Sequence, residues 1–182
     1  VARLRAQLDE GPGVLILRGI DVESYDESAA DMITWGLGNY LGRPMRQGLR
    51  NDRRLFTVTD RGADNRDATR IGATSGESFP HTDNGCLESR PPCYIGLLCY
   101  QTADIGGDSR VLAAAAVHDA MLAERPELLR LLYDAYHFKP PHLHTWPKGP
   151  RTITKPIFEH TNEGVHVHYA RVMVEPGMAL AG

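Results

Sequence analysis

The stretch that most constrains the fold is Ala113 to Leu132, a run of helix-favouring residues set between segments that read as strands. Pro126 fits this run only as the first-turn residue of a second helix, because proline has no N–H to donate and its φ is already helical. Leu128, Leu129, Leu131 and Leu132 then follow as that helix's apolar content. Before the run, Tyr94 to Tyr100 is an apolar segment of strand length behind Pro91-Pro92, and Gly106-Gly107 opens a turn into a second strand-like segment, Ser109 to Leu112. After it, beyond a Pro- and His-rich stretch from Pro140 to Pro150, Ile153 to Phe158 and Val165 to Tyr169 read as two strands joined by Glu159 to Gly164. Strands on both sides of a helical insert predict a β-rich α+β architecture. The form expected is a double-stranded β-helix, or jelly roll, with flanking helices packed outside it.

The N-terminal third adds shorter elements. Leu4 and Leu8 predict a short helix that stops at Gly11-Pro12-Gly13, and Val14 to Leu17 reads as a buried strand leading into Gly19. Ala29, Ala30, Ile33, Leu37 and Leu41 recur at helical spacing, with Gly42 placed as the C-terminal cap and Pro44 just beyond. Leu55 to Thr59 is strand-like, and the polar segment Arg61 to Ser78 reads as a loop positioned to act as a lid. No repeat or linker divides the 182 residues, so a single domain over 1–182 is expected.

Composition excludes several classes. A chain that is 42% hydrophobic and 24% charged can bury a core and is not disordered. The apolar run at Val14 is cut off by Arg18-Gly19, far short of the roughly 20 residues that cross a bilayer, so no membrane partner is expected. A formal net charge of −3 lacks the positive field of a nucleic-acid binder and leaves a small-molecule substrate as the expected partner. Cys86, Cys93 and Cys99 never form C-x-x-C, which predicts a reducing, cytoplasmic setting and cysteines that serve as buried small hydrophobes. Nothing in the sequence reads as a signal of oligomeric state.

His81-Thr82-Asp83 is the segment with the most chemical content. In an extended chain residues i and i+2 project to the same side, so an imidazole and a carboxylate would share one cavity. That pair is two-thirds of the 2-His-1-carboxylate set that holds Fe(II) with open positions. Chance alone supplies about one His-x-acid match in a chain of this composition, so the triplet by itself carries no weight.

The surrounding order supplies the weight. Phe79-Pro80-His81-Thr82-Asp83-Asn84 is followed by Arg90-Pro91-Pro92, the run Tyr94 to Tyr100, and Gly106-Gly107-Asp108-Ser109. Val117 to Leu122, Arg125 to Leu129, Lys155 to Phe158 and Tyr169-Ala170-Arg171 continue the series. It resembles the taurine dioxygenase-like family of Fe(II)- and 2-oxoglutarate-dependent oxygenases, whose relatives include the clavaminate synthase-like enzymes. The resemblance implies that His81 and Asp83 bind Fe(II) and that the Ser109 hydroxyl hydrogen-bonds a carboxylate of 2-oxoglutarate. It also implies a dioxygenase that uses O2 to oxidise, most simply to hydroxylate, a C–H bond of a small polar substrate, with release of succinate and CO2. No catalytic group beyond the metal site is expected. The family's second iron-binding His and its 2-oxoglutarate-binding Arg come from strands well beyond the Tyr-x-Arg segment, so the resemblance implies an oxygenase domain incomplete at its C-terminus. Glu77, Asn84, Tyr169 and Arg171 are candidates for substrate contact, chosen for nearness to the metal motif or for facing inward on a late strand.

Other readings stand beside these. His81 as a core histidine with Asp83 as a turn former is one; a non-catalytic jelly-roll binding module is another; a cupin-like metalloenzyme centred on His166 and His168 is a third. The plain reading of His166-x-His168 is two side chains on the exposed face of an edge strand, and that of His142-x-His144 is a solvent-facing loop. Arg43, Arg46, Arg50, Arg53 and Arg54 form a basic cluster that reads either as an anion contact or as a solvated face. Cys86, near the metal motif, would be prone to oxidation if exposed.

Overall fold

The computed structural model of the chain describes residues 2–46, 53–63, 72–83, 91–139, 152–162 and 164–182. The chain divides into two compact units, one of Val1–Phe56 with Cys93–Ala113 and the other of Thr57–Pro92 with Ala114–Gly182.

The first unit holds α1 (Ala2–Asp9), a 3-10 turn (Val22–Ser24) and α2 (Glu27–Leu41). Asp26 starts α2 as its N-cap: its Oδ1 accepts from the Ala29 N–H at 2.8 Å, satisfying one of the four donors a helix start leaves free. At the other end Gly42 is the C-cap in extended conformation, with no left-handed residue needed. The Arg5 guanidinium donates to the Leu41 carbonyl at 2.8 Å, which ties α1 to the negative end of α2. Tyr94 donates to Asp9, and Tyr100 donates to the Tyr25 carbonyl at 3.2 Å.

Three runs expected to be strands in this unit are not strands: Val14 to Leu17, Tyr94 to Tyr100 and Ser109 to Leu112. A strand exists by virtue of its partner, and among the described residues these runs have none. Ile16, Ile95, Leu97, Val111 and Leu112 are accordingly exposed, and Cys93 and Cys99 are exposed as well, against the expectation of burial. Cys86 lies outside the described residues. Leu55 to Thr59 is likewise not a regular strand, although Thr59 N–H bonds the Gly72 carbonyl at 3.1 Å and Arg61 N–H bonds that of Ala73 at 3.0 Å. These bonds join the two described ends of the loop expected to be a lid.

The second unit carries the core. α3 (Ala114–Glu124) and α4 (Pro126–Leu131) are separated where Pro126 takes the N1 position, as the sequence predicts. β1 (Tyr136–Phe138) pairs antiparallel with β2 (Ile153–Lys155) in the register Tyr136↔Lys155, and β3 (Phe158–Thr161) pairs antiparallel with β4 (Gly164–Val167) in the register Phe158↔Val167. The expected single strand from Ile153 to Phe158 is therefore two strands in two different sheets. The Ile157 and Phe158 N–H groups turn to the Leu132 carbonyl at 3.0 and 2.9 Å, which ends one pairing and starts the next.

Leu129, Phe138, Ile157 and Phe158 are the buried centre, with Met121, Leu132, Tyr133, Val165, Val167, Met173 and Val174 packed around it. α5 (Arg171–Ala181) closes the unit on β1. Pro176 and Gly177 inside α5 read as helix breakers, which is why no helix is legible there. Gly177 is instead the point of closest approach: a Cβ there would lie 2.1 Å from the His137 carbonyl oxygen. Gly177→Ala should therefore cost about 1–3 kcal/mol by overpacking against backbone that cannot yield. A lower urea midpoint at constant slope is the expected reading, and an unchanged midpoint would show that α5 does not rest on β1 in this way. Among the described residues no helix is long and apolar enough to cross a membrane.

Candidate metal centre

The backbone beyond β4 stays extended through His168, Tyr169 and Ala170. On one side the His168 N–H bonds the Ile157 carbonyl at 2.8 Å; on the other the Thr82 N–H bonds the Tyr169 carbonyl at 2.7 Å. His81 pairs with Ala170 as an isolated antiparallel bridge. The triplet His81-Thr82-Asp83 is thus laid along the outer edge of the β4 continuation, and it is a bridge followed by a turn rather than the regular strand expected.

His81 Nε2 lies 3.2 Å from Asp83 Oδ1, with both side chains about half exposed. On the other side of the ring, Nδ1 is 2.8 Å from the Phe79 carbonyl oxygen. A carbonyl only accepts, so Nδ1 carries a proton and the ring is held with Nε2 toward the carboxylate. The hydrogen bond to Asp83 is the largest influence on the imidazole and raises its pKa, against the smaller opposing effect of burial and with the Phe79 carbonyl adding to the rise. The same bond is the main reason the Asp83 carboxyl sits below its usual range. Two such adjacent donors could together hold a cation, which would displace the Nε2 proton, and the Phe79 contact would then be the outer partner that metal-ligating histidines commonly have. An imidazole and a carboxylate fit Fe(II) as two of three facial ligands. Among the described residues no third His, Cys, Asp or Glu completes the group.

Two of the four candidate substrate contacts are brought beside this pair. Tyr169 shares backbone bonds with Thr82, and the Arg171 guanidinium lies over the Phe79 ring, 5.3 Å from its centroid, with Nε donating to Glu175 at 2.8 Å. Neither faces inward from a strand as expected: Tyr169 is exposed, and Arg171 is the first residue of α5. Glu77 is exposed in irregular backbone. Ser109 belongs to the first unit, exposed, and follows a turn in which Gly106 and Gly107 have φ of 77° and 82°, as the paired glycines predict. Asn84, Arg50, His142 and His144 lie outside the described residues. Arg43, Arg46, Arg53 and Arg54 are exposed, and Arg54 donates to the Pro44 carbonyl.

His166-x-His168 is not an exposed pair. His168 is buried, and its Nε2 is 2.9 Å from Glu159 Oε2; that bond is the main reason the Glu159 carboxyl is held low. Only that nitrogen is engaged: the His168 Nδ1 is buried with no hydrogen-bond partner among the described residues. A second polar cluster has no counterpart in the sequence reading. The Tyr133 hydroxyl sits 2.8 Å from His118 Nε2 and 2.9 Å from His160 Nε2. With one proton it donates to one ring and accepts from the other, which pins α3 and β3 to the turn after α4. Its three members are scattered through the chain, and only packing joins them.

The order of the motifs around this pair is matched by known proteins. This chain belongs to the taurine catabolism dioxygenase TauD, TfdA family, whose model matches residues 1–177. It is 31% identical over 140 residues to the FR-33289 synthase of Streptomyces rubellomurinus (strain ATCC 31215), a match that takes in 76% of this chain and 39% of that protein. The chain thus spans about two fifths of the length of that curated relative. No solved structure matches it. Members of the family depend on Fe(II) and 2-oxoglutarate, and the family implies a jelly-roll architecture. The described residues form a mixed arrangement of helices and two two-stranded antiparallel sheets.

Proposed function

We propose that this chain carries the metal-binding part of an Fe(II)- and 2-oxoglutarate-dependent dioxygenase that hydroxylates a C–H bond of a small polar substrate, with release of succinate and CO2. The observation that carries the reading is the pairing of His81 Nε2 with Asp83 Oδ1 at 3.2 Å, the ring being held from behind by Phe79. Bound iron supplies the activation of O2, and the protein supplies geometry. His81 and Asp83 hold the metal from one side. The Ser109 hydroxyl donates to a carboxylate of 2-oxoglutarate, and Arg171, Tyr169, Glu77 and Asn84 contact the substrate. Asp83 would serve as a metal ligand where a halide would otherwise bind, so oxygen insertion is the expected outcome, or a related loss of two hydrogens, and chloride should not alter the product.

The test is succinate formation from 2-oxoglutarate, dependent on Fe(II) and O2, in the presence of candidate polar acids. A protein that binds iron tightly and never consumes 2-oxoglutarate under any substrate would be a binding module instead. Ser109→Ala should raise the 2-oxoglutarate concentration needed by roughly tenfold or more, since a hydrogen bond to a charged group is worth about 1.5–3 kcal/mol and each 1.4 kcal/mol is a decade. An unchanged requirement would remove Ser109 from the site.

A further inference from the structure

On a regular strand, residues two apart are separated by about 7 Å, twice the rise per residue, and their side chains run parallel. The side chains of His81 and Asp83 converge instead, with Nε2 and Oδ1 only 3.2 Å apart. The cause lies between them. In an ordinary antiparallel pair, two facing residues exchange both of their N–H···O=C bonds. Thr82 and Tyr169 exchange only one in that way, Thr82 N–H to the Tyr169 carbonyl at 2.7 Å. The return bond, from the Tyr169 N–H, goes to the Thr82 hydroxyl at 3.0 Å and not to the Thr82 carbonyl. The same hydroxyl lies 3.3 Å from the Tyr169 carbonyl, to which it donates.

The side chain of Thr82 therefore stands in for its own backbone carbonyl. The Tyr169 amide is satisfied without the ladder going on, the strand is released after position 82, and Asp83 enters a turn. Side chain-to-backbone bonds of this kind are the usual way Ser and Thr divert a chain from regular structure. Here the diversion falls between the two metal donors and swings the carboxylate toward the imidazole. On the N-terminal side the segment is held by the His81↔Ala170 bridge and by Arg171 over Phe79, so the bend cannot be taken up there.

We propose that Thr82 is the positioning residue of the metal centre. Its hydroxyl, by closing on the backbone of Tyr169, ends the strand and sets the spacing of His81 and Asp83. The proposal rests on the reading of those two residues as metal ligands. Serine can serve in its place; valine, which has the same shape and no hydroxyl, cannot, because the Tyr169 amide would then draw the Thr82 carbonyl back into the ladder or be left unpaired.

Two measurements on the wild-type protein, Thr82→Val and Thr82→Ser decide it. The first is a titration with Co(II) alone, followed by its visible absorption, with His81→Ala to identify the signal. The dissociation constant should rise at least about tenfold in Thr82→Val and stay within about twofold of wild type in Thr82→Ser. The second needs no metal: hydrogen exchange at the Tyr169 amide, which should be protected in wild type and Thr82→Ser. In Thr82→Val it should exchange at least about tenfold faster if left unpaired, or remain protected with the turn at Asp83 lost from the local NMR shifts if the ladder extends. Wild-type Co(II) affinity in Thr82→Val, or weakened affinity in Thr82→Ser, would overturn the proposal. So would an unchanged Tyr169 amide and unchanged Asp83 shifts in Thr82→Val. If His81→Ala leaves the wild-type Co(II) signal intact, the metal-centre reading itself has failed, and the role of the hydroxyl in bending the chain is then decided by the exchange experiment. Should Thr82→Val not fold, Thr82→Ser and Thr82→Ala carry the comparison with the same expected order.

Discussion

His81→Ala and Asp83→Ala are each expected to abolish the charge-transfer absorption that Fe(II) and 2-oxoglutarate develop on the protein in the absence of oxygen. Each removes one of two donors that already face each other at 3.2 Å. Thr82 between them cannot substitute, because its hydroxyl is committed to the Tyr169 backbone. If His166→Ala removes the absorption while His81→Ala leaves it, the metal lies on the β3–β4 hairpin instead. The pH dependence has a definite sign. His81 is raised and Asp83 lowered, so the metal-free pair is charged between the lowered carboxyl pKa and the raised imidazole pKa. The imidazole's contribution to folding stability is present below its unfolded pKa and is lost as pH rises through the folded value. That of Asp83 is present above its unfolded pKa and is lost as pH falls through the folded one. Exposure of both groups keeps these contributions small. Metal binding has the opposite trend from the imidazole: the ion displaces the Nε2 proton, so affinity should fall by up to a decade per pH unit once pH drops below the raised His81 pKa.

Phe138→Ala should cost about 3–5 kcal/mol, the usual cost of emptying a large aromatic site in a packed core. Phe138 is fully buried at the end of β1 and touches the cluster of Leu129, Ile157 and Phe158. Because domains of ordinary size are stable by only about 5–15 kcal/mol, such a loss should leave the second unit partly unfolded at room temperature, read by a fall in the urea midpoint and by ANS binding. The metal centre should weaken with it, since α5 packs on β1 and leads back through Ala170 to His81. A cost below about 1 kcal/mol would mean that the core is not organised around this ring.

Local chemistry was readable wherever the deciding partners are close in the chain. Gly42 stops α2, Pro126 starts α4, and Gly106-Gly107 takes positive φ, because caps, fixed φ and positive φ act within a few residues. The family was legible for a related reason: motif order is a property of the sequence itself.

What the sequence could not contain is who pairs with whom. The Tyr94 to Tyr100 run is as apolar as a strand but has no ladder among the described residues, whereas Tyr136 to Phe138 is a strand because Ile153 to Lys155 meets it across the Pro- and His-rich stretch. Helix α5 survives Pro176 and Gly177 because β1 lies against the glycine, and His168 is buried because Glu159 comes to it across the hairpin. Thr82 is the clearest case. It reads as the spacer between two ligands, and its role comes from Tyr169, 87 residues away, whose amide selects the hydroxyl over the backbone. Side-chain type sets which bonds are possible; the tertiary structure, by bringing distant backbone groups to the same edge, decides which of them form.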